Sequence, residues 1–246
     1  MNINYTLVDE ILDVIFPLPK KFGIGGGMEY IEDIAFHLQG YISEDIKVYH
    51  GVSKMVIVSD NLGDVVIKVP FNGQYSCGCL SGPCRHSSKW IGKSENGIPI
   101  EFDYFCGAGG SDKSDYCLAE YEKYQDLEDV DLSIFVAETL FYKVKDGVRI
   151  FLQERVNPVE DSIATPRPSE KSIKAAKRYN SDSAYVYMDC NWIANCIENY
   201  GEEITEKFLS YATDIDEDIL GDMHDGNFGY RDDGTPVLLD FCDFNS

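Results

Sequence analysis

The chain has 246 residues, of which 21 are basic and 43 acidic, for a formal net charge of −22, and 44% are hydrophobic. That apolar fraction supports a sizeable core and excludes wholesale disorder, and the length suits one large domain or two small lobes. The negative field opposes contact with nucleic acid and with anionic membranes; it is read either as the solvated surface of an acidic cytoplasmic protein or as a surface that attracts basic partners, including by mimicry of nucleic acid.

Residues 5 to 16 carry Leu7, Ile11, Leu12 and Ile15 at helical spacing, and Pro17 and Pro19 end that segment. No basic stretch followed by an apolar one precedes it, and no run is long enough to cross a bilayer. The expected location is therefore the cytoplasm, and the eight cysteines are expected as reduced thiols or metal ligands. Gly23-Ile24-Gly25-Gly26-Gly27 leads into a second helical pattern of Met28, Ile31, Ala35 and Leu38. A glycine run before a helix can cradle a phosphate, but no Lys-Ser or Lys-Thr follows, so a flexible connector is the competing reading.

From Ile46 the texture becomes strand-like. Ile46 to His50, Lys54 to Val58 and Val65 to Val69 read as three short strands, with turns at Gly51-Val52-Ser53 and Asn61-Leu62-Gly63-Asp64, hence an antiparallel meander. Lys68 stands inside the third strand between apolar residues, and a buried ammonium demands an anionic partner. Residues 72 to 116 are rich in glycine and cysteine with little periodicity. A helix is expected over Tyr116 to Leu127, with Cys117, Glu120, Tyr121, Tyr124 and Leu127 on one face, so Glu120 is the acid that points inward. Strands are expected over Ile134 to Tyr142 and Val148 to Glu154, joined at Asp146-Gly147. A polar connector with a short helix spans 157 to 183, and two helical segments broken near Gly201 span 185 to 213. The C-terminal part reads as loop, strand Phe228 to Tyr230, turn Asp232-Asp233-Gly234 and strand Pro236 to Leu239.

Within that last part lie Gly221-Asp222-Met223-His224-Asp225-Gly226-Asn227 and, after it, Val237-Leu238-Leu239-Asp240-Phe241. An aspartate five positions before an asparagine, with a second aspartate closing an apolar run, suits phosphoryl transfer from a nucleoside triphosphate. One carboxylate orients a hydroxyl while an amide and another carboxylate hold magnesium against the phosphates. Taken singly, these acids and Asp-Gly pairs are ordinary turn residues; their order relative to Lys68 and Glu120 is what favours the site.

That order resembles the protein-kinase-like fold, in particular the aminoglycoside phosphotransferase and choline kinase branch and the small kinase-like proteins of bacteriophages, over roughly residues 46 to 244. The resemblance implies an α+β, two-lobed fold. A helical N-terminal extension would span 1–45, an antiparallel-sheet N-lobe 46–156 with a cysteine-rich insertion at 72–116, and a truncated, mostly helical C-lobe 157–246. It implies that Asp222 is the catalytic carboxylate, that Asn227 and Asp240 bind magnesium, and that Lys68 contacts the α- and β-phosphates of ATP and pairs with Glu120. Gly51 and Ser53 would cover the phosphates, and Glu154 and Val156 fall where the hinge backbone meets adenine. His224 would brace the loop or take part in the chemistry.

The departures are Leu220, where the family often has histidine, and Cys242, where protein kinases have glycine. The chain also stops at Ser246, which leaves no room for the usual acceptor-binding helices; a partner protein, a second subunit or the insertion would then complete the acceptor side. Cys77, Cys79, Cys84, His86 and Cys106 are candidate ligands of a structural zinc, with loosely placed free thiols as the alternative. Arg167, Lys171, Lys174, Lys177 and Arg178 form a basic run, either a patch for an acidic acceptor or a solvated helix face. The functional expectation is an ATP- and magnesium-dependent phosphotransferase acting on a protein or small-molecule hydroxyl, in the host cytoplasm if phage-encoded. The alternative is a catalytically silent kinase-like shell that sequesters a partner protein, and a third reading is an acidic nucleic-acid mimic that ignores nucleotides.

Overall fold

The computed structural model describes residues 1–17, 26–50, 54–70, 87–93, 99–105, 116–145, 148–158, 166–179, 190–214, 219, 223 and 225–241. The fold is α+β with an antiparallel sheet, and the chain divides into two compact units: Met1–Tyr121 with Thr139–Glu154, and Glu122–Glu138 with Arg155–Ser246.

The first unit is built on a five-stranded sheet. Its strands are β1 (Lys47–His50), β2 (Lys54–Val58), β3 (Val65–Pro70), β6 (Thr139–Lys145) and β7 (Val148–Glu154), in the order β1-β2-β3-β7-β6, every neighbouring pair antiparallel. The alternation of side chains along a strand gives the sheet two different faces. Met55, Ile57, Val65, Ile67, Val69, Val148, Ile150 and Leu152 point one way and are buried. They form a core with α1 (Tyr5–Ile15) and α2 (Gly26–Tyr41). α1 contributes Leu7, Val8, Ile11, Leu12 and Ile15, and Asn4 caps its start by accepting a hydrogen bond from the Leu7 amide at 3.2 Å. The N-terminal helices are therefore part of the sheet's own core and not an appendage to it.

Two local devices hold the edges of this unit. The Asp64 amide donates to the Asn2 carbonyl at 2.9 Å, and the Asn2 amide donates to the Asp64 carboxylate at 2.7 Å, which ties the N-terminus to the β2–β3 turn. Asp45, on the link between α2 and β1, accepts from the hydroxyls of Ser43 and Ser59, the Asp60 amide and the Asn61 side chain. The Ser43 hydroxyl, followed by that of Ser59, pulls the Asp45 carboxyl down to about 2.

The segment without evident periodicity contains a two-stranded hairpin, β4 (Ser87–Lys93) and β5 (Pro99–Phe105), registered from Ser87 opposite Phe105 to Lys93 opposite Pro99. Its strand formers, among them Trp90, Ile91, Ile100, Phe102 and Tyr104, are interrupted by serine, glycine and charge, which hides the alternation.

The second unit packs α4 (Glu170–Ala176), α5 (Cys190–Tyr200) and α6 (Glu202–Asp214) with a small sheet of order β10-β9-β8, from β8 (Asn157–Pro158), β9 (Phe228–Tyr230) and β10 (Pro236–Leu238). Its core is aromatic: Phe135 stacks on Phe208 with centroids 4.4 Å apart, and Trp192 on Phe228 at 4.8 Å. The strand expected from Ile134 is a 3₁₀ turn at Ser133–Phe135 instead, and β6 begins only at Thr139. Leu132, Phe135 and Val136 are buried in the aromatic core, and the Ala137 amide donates to the Leu238 carbonyl at 2.8 Å, so this stretch is used by the second unit before the chain enters the five-stranded sheet. The helix α3 (Tyr116–Asp129) carries the chain from one unit to the other. Among the described residues no helix is long and apolar enough to cross a membrane.

Candidate functional site

The second face of the five-stranded sheet is the chemically distinctive one. Lys68 stands opposite Val56 across β2–β3 and opposite Phe151 across β3–β7, on the face turned away from the Ile57 and Ile67 side. It is 3% exposed. α3 brings Glu120, fully buried, to this face, and the Lys68 ammonium donates to Glu120 Oε2 at 2.7 Å. Tyr121, the next residue of α3, meets the Phe151 ring at 5.8 Å between centroids. The helical face expected from the spacing of Cys117, Glu120 and Leu127 is the buried one, with all three inaccessible to solvent.

Lys54 was not singled out by sequence reasoning, and it belongs to the same group. It opens β2, is 5% exposed, and its ammonium donates to Glu120 Oε1. Glu120 thus has a different lysine on each carboxylate oxygen. The signal was present but incomplete: Lys54 is two residues from Val56, and only the Val56–Lys68 pairing shows that both lysines share a face. Gln153 was also missed as a polar side chain of this face. It stands opposite Val66, is 2% exposed, and its amide donates to the Thr139 hydroxyl at 3.1 Å.

In the second unit, Asn227 closes a 3₁₀ turn, Asp225–Asn227, directly before β9, and Asp240 follows β10 by two residues. Because Phe228 pairs with Leu238, both lie at the same end of the β9–β10 hairpin. The Leu239 amide donates to the Asn227 carbonyl at 2.8 Å and holds that end closed. Asn227 and Asp240 are both half-buried. An amide oxygen and a carboxylate at one end of a short hairpin are hard oxygen donors of the kind magnesium takes. Gly229 lies two residues on from Asn227; a Cβ there would meet Val156 Cγ2 at 2.9 Å, so the chain after β7 packs closely on β9.

Glu154, the last residue of β7, and Val156 beyond it are both half-buried. Asp222 and His224 lie outside the described residues, as do Gly51 and Ser53 and the set Cys77, Cys79, Cys84, His86 and Cys106. Among the described residues no group of three or more His, Cys, Asp or Glu side chains is placed to hold a metal ion. Comparison of the chain with protein-family models, curated proteins and solved structures finds no match.

Proposed function

We propose that the chain is an ATP- and magnesium-dependent phosphotransferase of the protein-kinase-like kind, two-lobed, acting on a hydroxyl of a protein or small molecule. The observation that carries the reading is the buried Lys68–Glu120 pair between a central strand and the helix packed on its face. A buried lysine held by a carboxylate is costly as a purely structural element, because two desolvated charges rarely contribute more stability than an apolar pair of the same size. A lysine held in place by a carboxylate is the pair that phosphoryl transfer of this kind uses at the α- and β-phosphates. The half-buried Asn227 and Asp240 at one end of the β9–β10 hairpin add to the support.

In this reading Lys68 neutralises the α- and β-phosphates and Glu120 keeps its ammonium in place. Asn227 and Asp240 would supply oxygen ligands to magnesium, which would offset the charge of the phosphates. Asp222 orients the acceptor hydroxyl and takes its proton as the oxygen bonds to the γ-phosphorus. The bond from that phosphorus to the β,γ-bridging oxygen breaks, and ADP departs with the electron pair.

Incubation with labelled ATP, magnesium and cell lysate tests the proposal. Transfer is expected with the wild type, and Asp222→Ala should abolish it while leaving ATP affinity nearly unchanged. Asp240→Ala should weaken nucleotide binding only when magnesium is present. Transfer by wild type no greater than by Asp222→Ala would overturn the enzymatic reading, and ATP binding without any transfer would leave a silent, nucleotide-binding shell.

A further inference from the structure

Glu120 is shared. A carboxylate that serves only to orient one lysine needs one partner, yet here each of its two oxygens receives a different ammonium, from Lys54 on β2 and Lys68 on β3. All three side chains are essentially out of solvent, at 6%, 4% and 0% side-chain exposure for Lys54, Lys68 and Glu120. The second lysine is not an accident of strand alternation. An apolar side chain at position 54 would cover the same face without the several kcal/mol, in rough terms, needed to desolvate an ammonium. The antiparallel register also dictates its placement: with Val56 opposite Lys68, Lys54 is the diagonal neighbour on the same face.

We propose that Lys54 is a second phosphate-binding lysine, and that Glu120 sets Lys54 and Lys68 side by side as a two-ammonium cradle for the polyphosphate of a nucleoside triphosphate. This deepens the reading above and rests on it. Two ammoniums held at the two oxygens of one carboxylate are neighbours on one face of the sheet. Neighbouring ammoniums match the neighbouring oxygens of a polyphosphate, and charge-assisted hydrogen bonds of this kind are the strong ones. Both lysines come from neighbouring strands of one sheet, so their separation is set by strand pairing and not by a loop.

The experiment measures affinity for three probes, ATP with magnesium, adenosine and inorganic tripolyphosphate, in wild type, Lys54→Met, Lys68→Met and Lys54→Arg. Lys54→Met is expected to lose at least about tenfold in affinity for ATP and tripolyphosphate, the order of one charge-assisted hydrogen bond, with adenosine affinity unchanged. A folded Lys54→Met protein that binds ATP as the wild type does, or that loses adenosine as much as ATP, overturns the proposal in favour of a structural lysine. Should Lys54→Met not fold, Lys54→Arg keeps the charge while changing the donor geometry. It is expected to change ATP affinity by several-fold and adenosine affinity not at all, and no change in either overturns the proposal. Wild type that ignores ATP but binds tripolyphosphate through Lys54 upholds the cradle and overturns the nucleotide reading; wild type that binds none of the probes overturns both.

Discussion

Glu120 has two buried ammoniums on its carboxylate, so Glu120→Ala takes a charged partner from each. The expected loss is about 3 to 5 kcal/mol, measurable as a fall in the denaturant midpoint at unchanged slope. A variant combining Lys54→Met, Lys68→Met and Glu120→Leu should regain most of that stability, because the three charges that meet at Glu120 are removed together; if it stays as unstable as Glu120→Ala, the loss does not come from the charges of this group. Asp45 acts through pH instead. Its carboxyl is held at about 2 by serine hydroxyls, against 3.8 for the free group. A folded-state value below the unfolded one gives stability that is complete above about pH 4 and lost as pH falls towards 2. Asp45→Asn should therefore be less stable than wild type at neutral pH, and the gap should narrow over that acid window in urea melts recorded at stepped pH. Asp45 takes these bonds from the link and the turn on either side of it, a pattern visible only once the hairpin has folded.

At the scale of elements, turns and strand starts divide what was legible from what was not. Gly63 adopts φ +86°, and a Cβ at this position would lie 2.3 Å from the Asn2 carbonyl oxygen. Gly201 between α5 and α6 has a similar φ of +93° but open space around it. Gly63→Ala is therefore expected to cost roughly 2 kcal/mol or more, through backbone strain and displacement of the N-terminus, while Gly201→Ala costs about 1 kcal/mol. Thermal melts of the two variants rank them, and equal losses would show that the N-terminal contact contributes nothing. The sequence turn Asn61-Leu62-Gly63-Asp64 and the break near Gly201 were both readable, since glycine punctuates local structure whatever surrounds it. Strands Lys54–Val58, Val148–Glu154 and Phe228–Tyr230 were equally plain from their apolar runs. The stretch from Ile134 was not: an apolar run satisfies a strand or a buried turn alike, and only the aromatic core around Phe208 decides that Phe135 belongs there.

Over the whole molecule, a net charge of −22 on 246 residues means long-range self-repulsion in the compact state. Raising ionic strength from about 10 mM to about 150 mM shortens the screening length from about 30 Å to about 8 Å. The melting temperature is expected to rise across that range, and a melting temperature that is flat or falls with salt would show that local ion pairs such as Lys143 with Asp9 and Lys145 with Asp13 outweigh the repulsion. The two compact units have separate cores, one aliphatic between α1, α2 and the five-stranded sheet, one aromatic around Trp192 and Phe135. The division cuts across chain order, because residues 122–138 leave the first unit for the second and 139–154 return.

Local pattern was enough for the α+β class, for most element positions, and for the inward placement of Lys68 and Glu120, because periodicity and the cost of burying charge are one-dimensional arguments. It was not enough to show that Lys54 completes the group on Glu120, that Gln153 is braced by Thr139, or that the N-terminal helices close the opposite face of the sheet; those emerge from the folded arrangement alone. They depend on strand register and on which helix covers which face. Register follows from turn geometry and from how the apolar faces of paired strands meet, and neither is contained in the pattern of one segment alone.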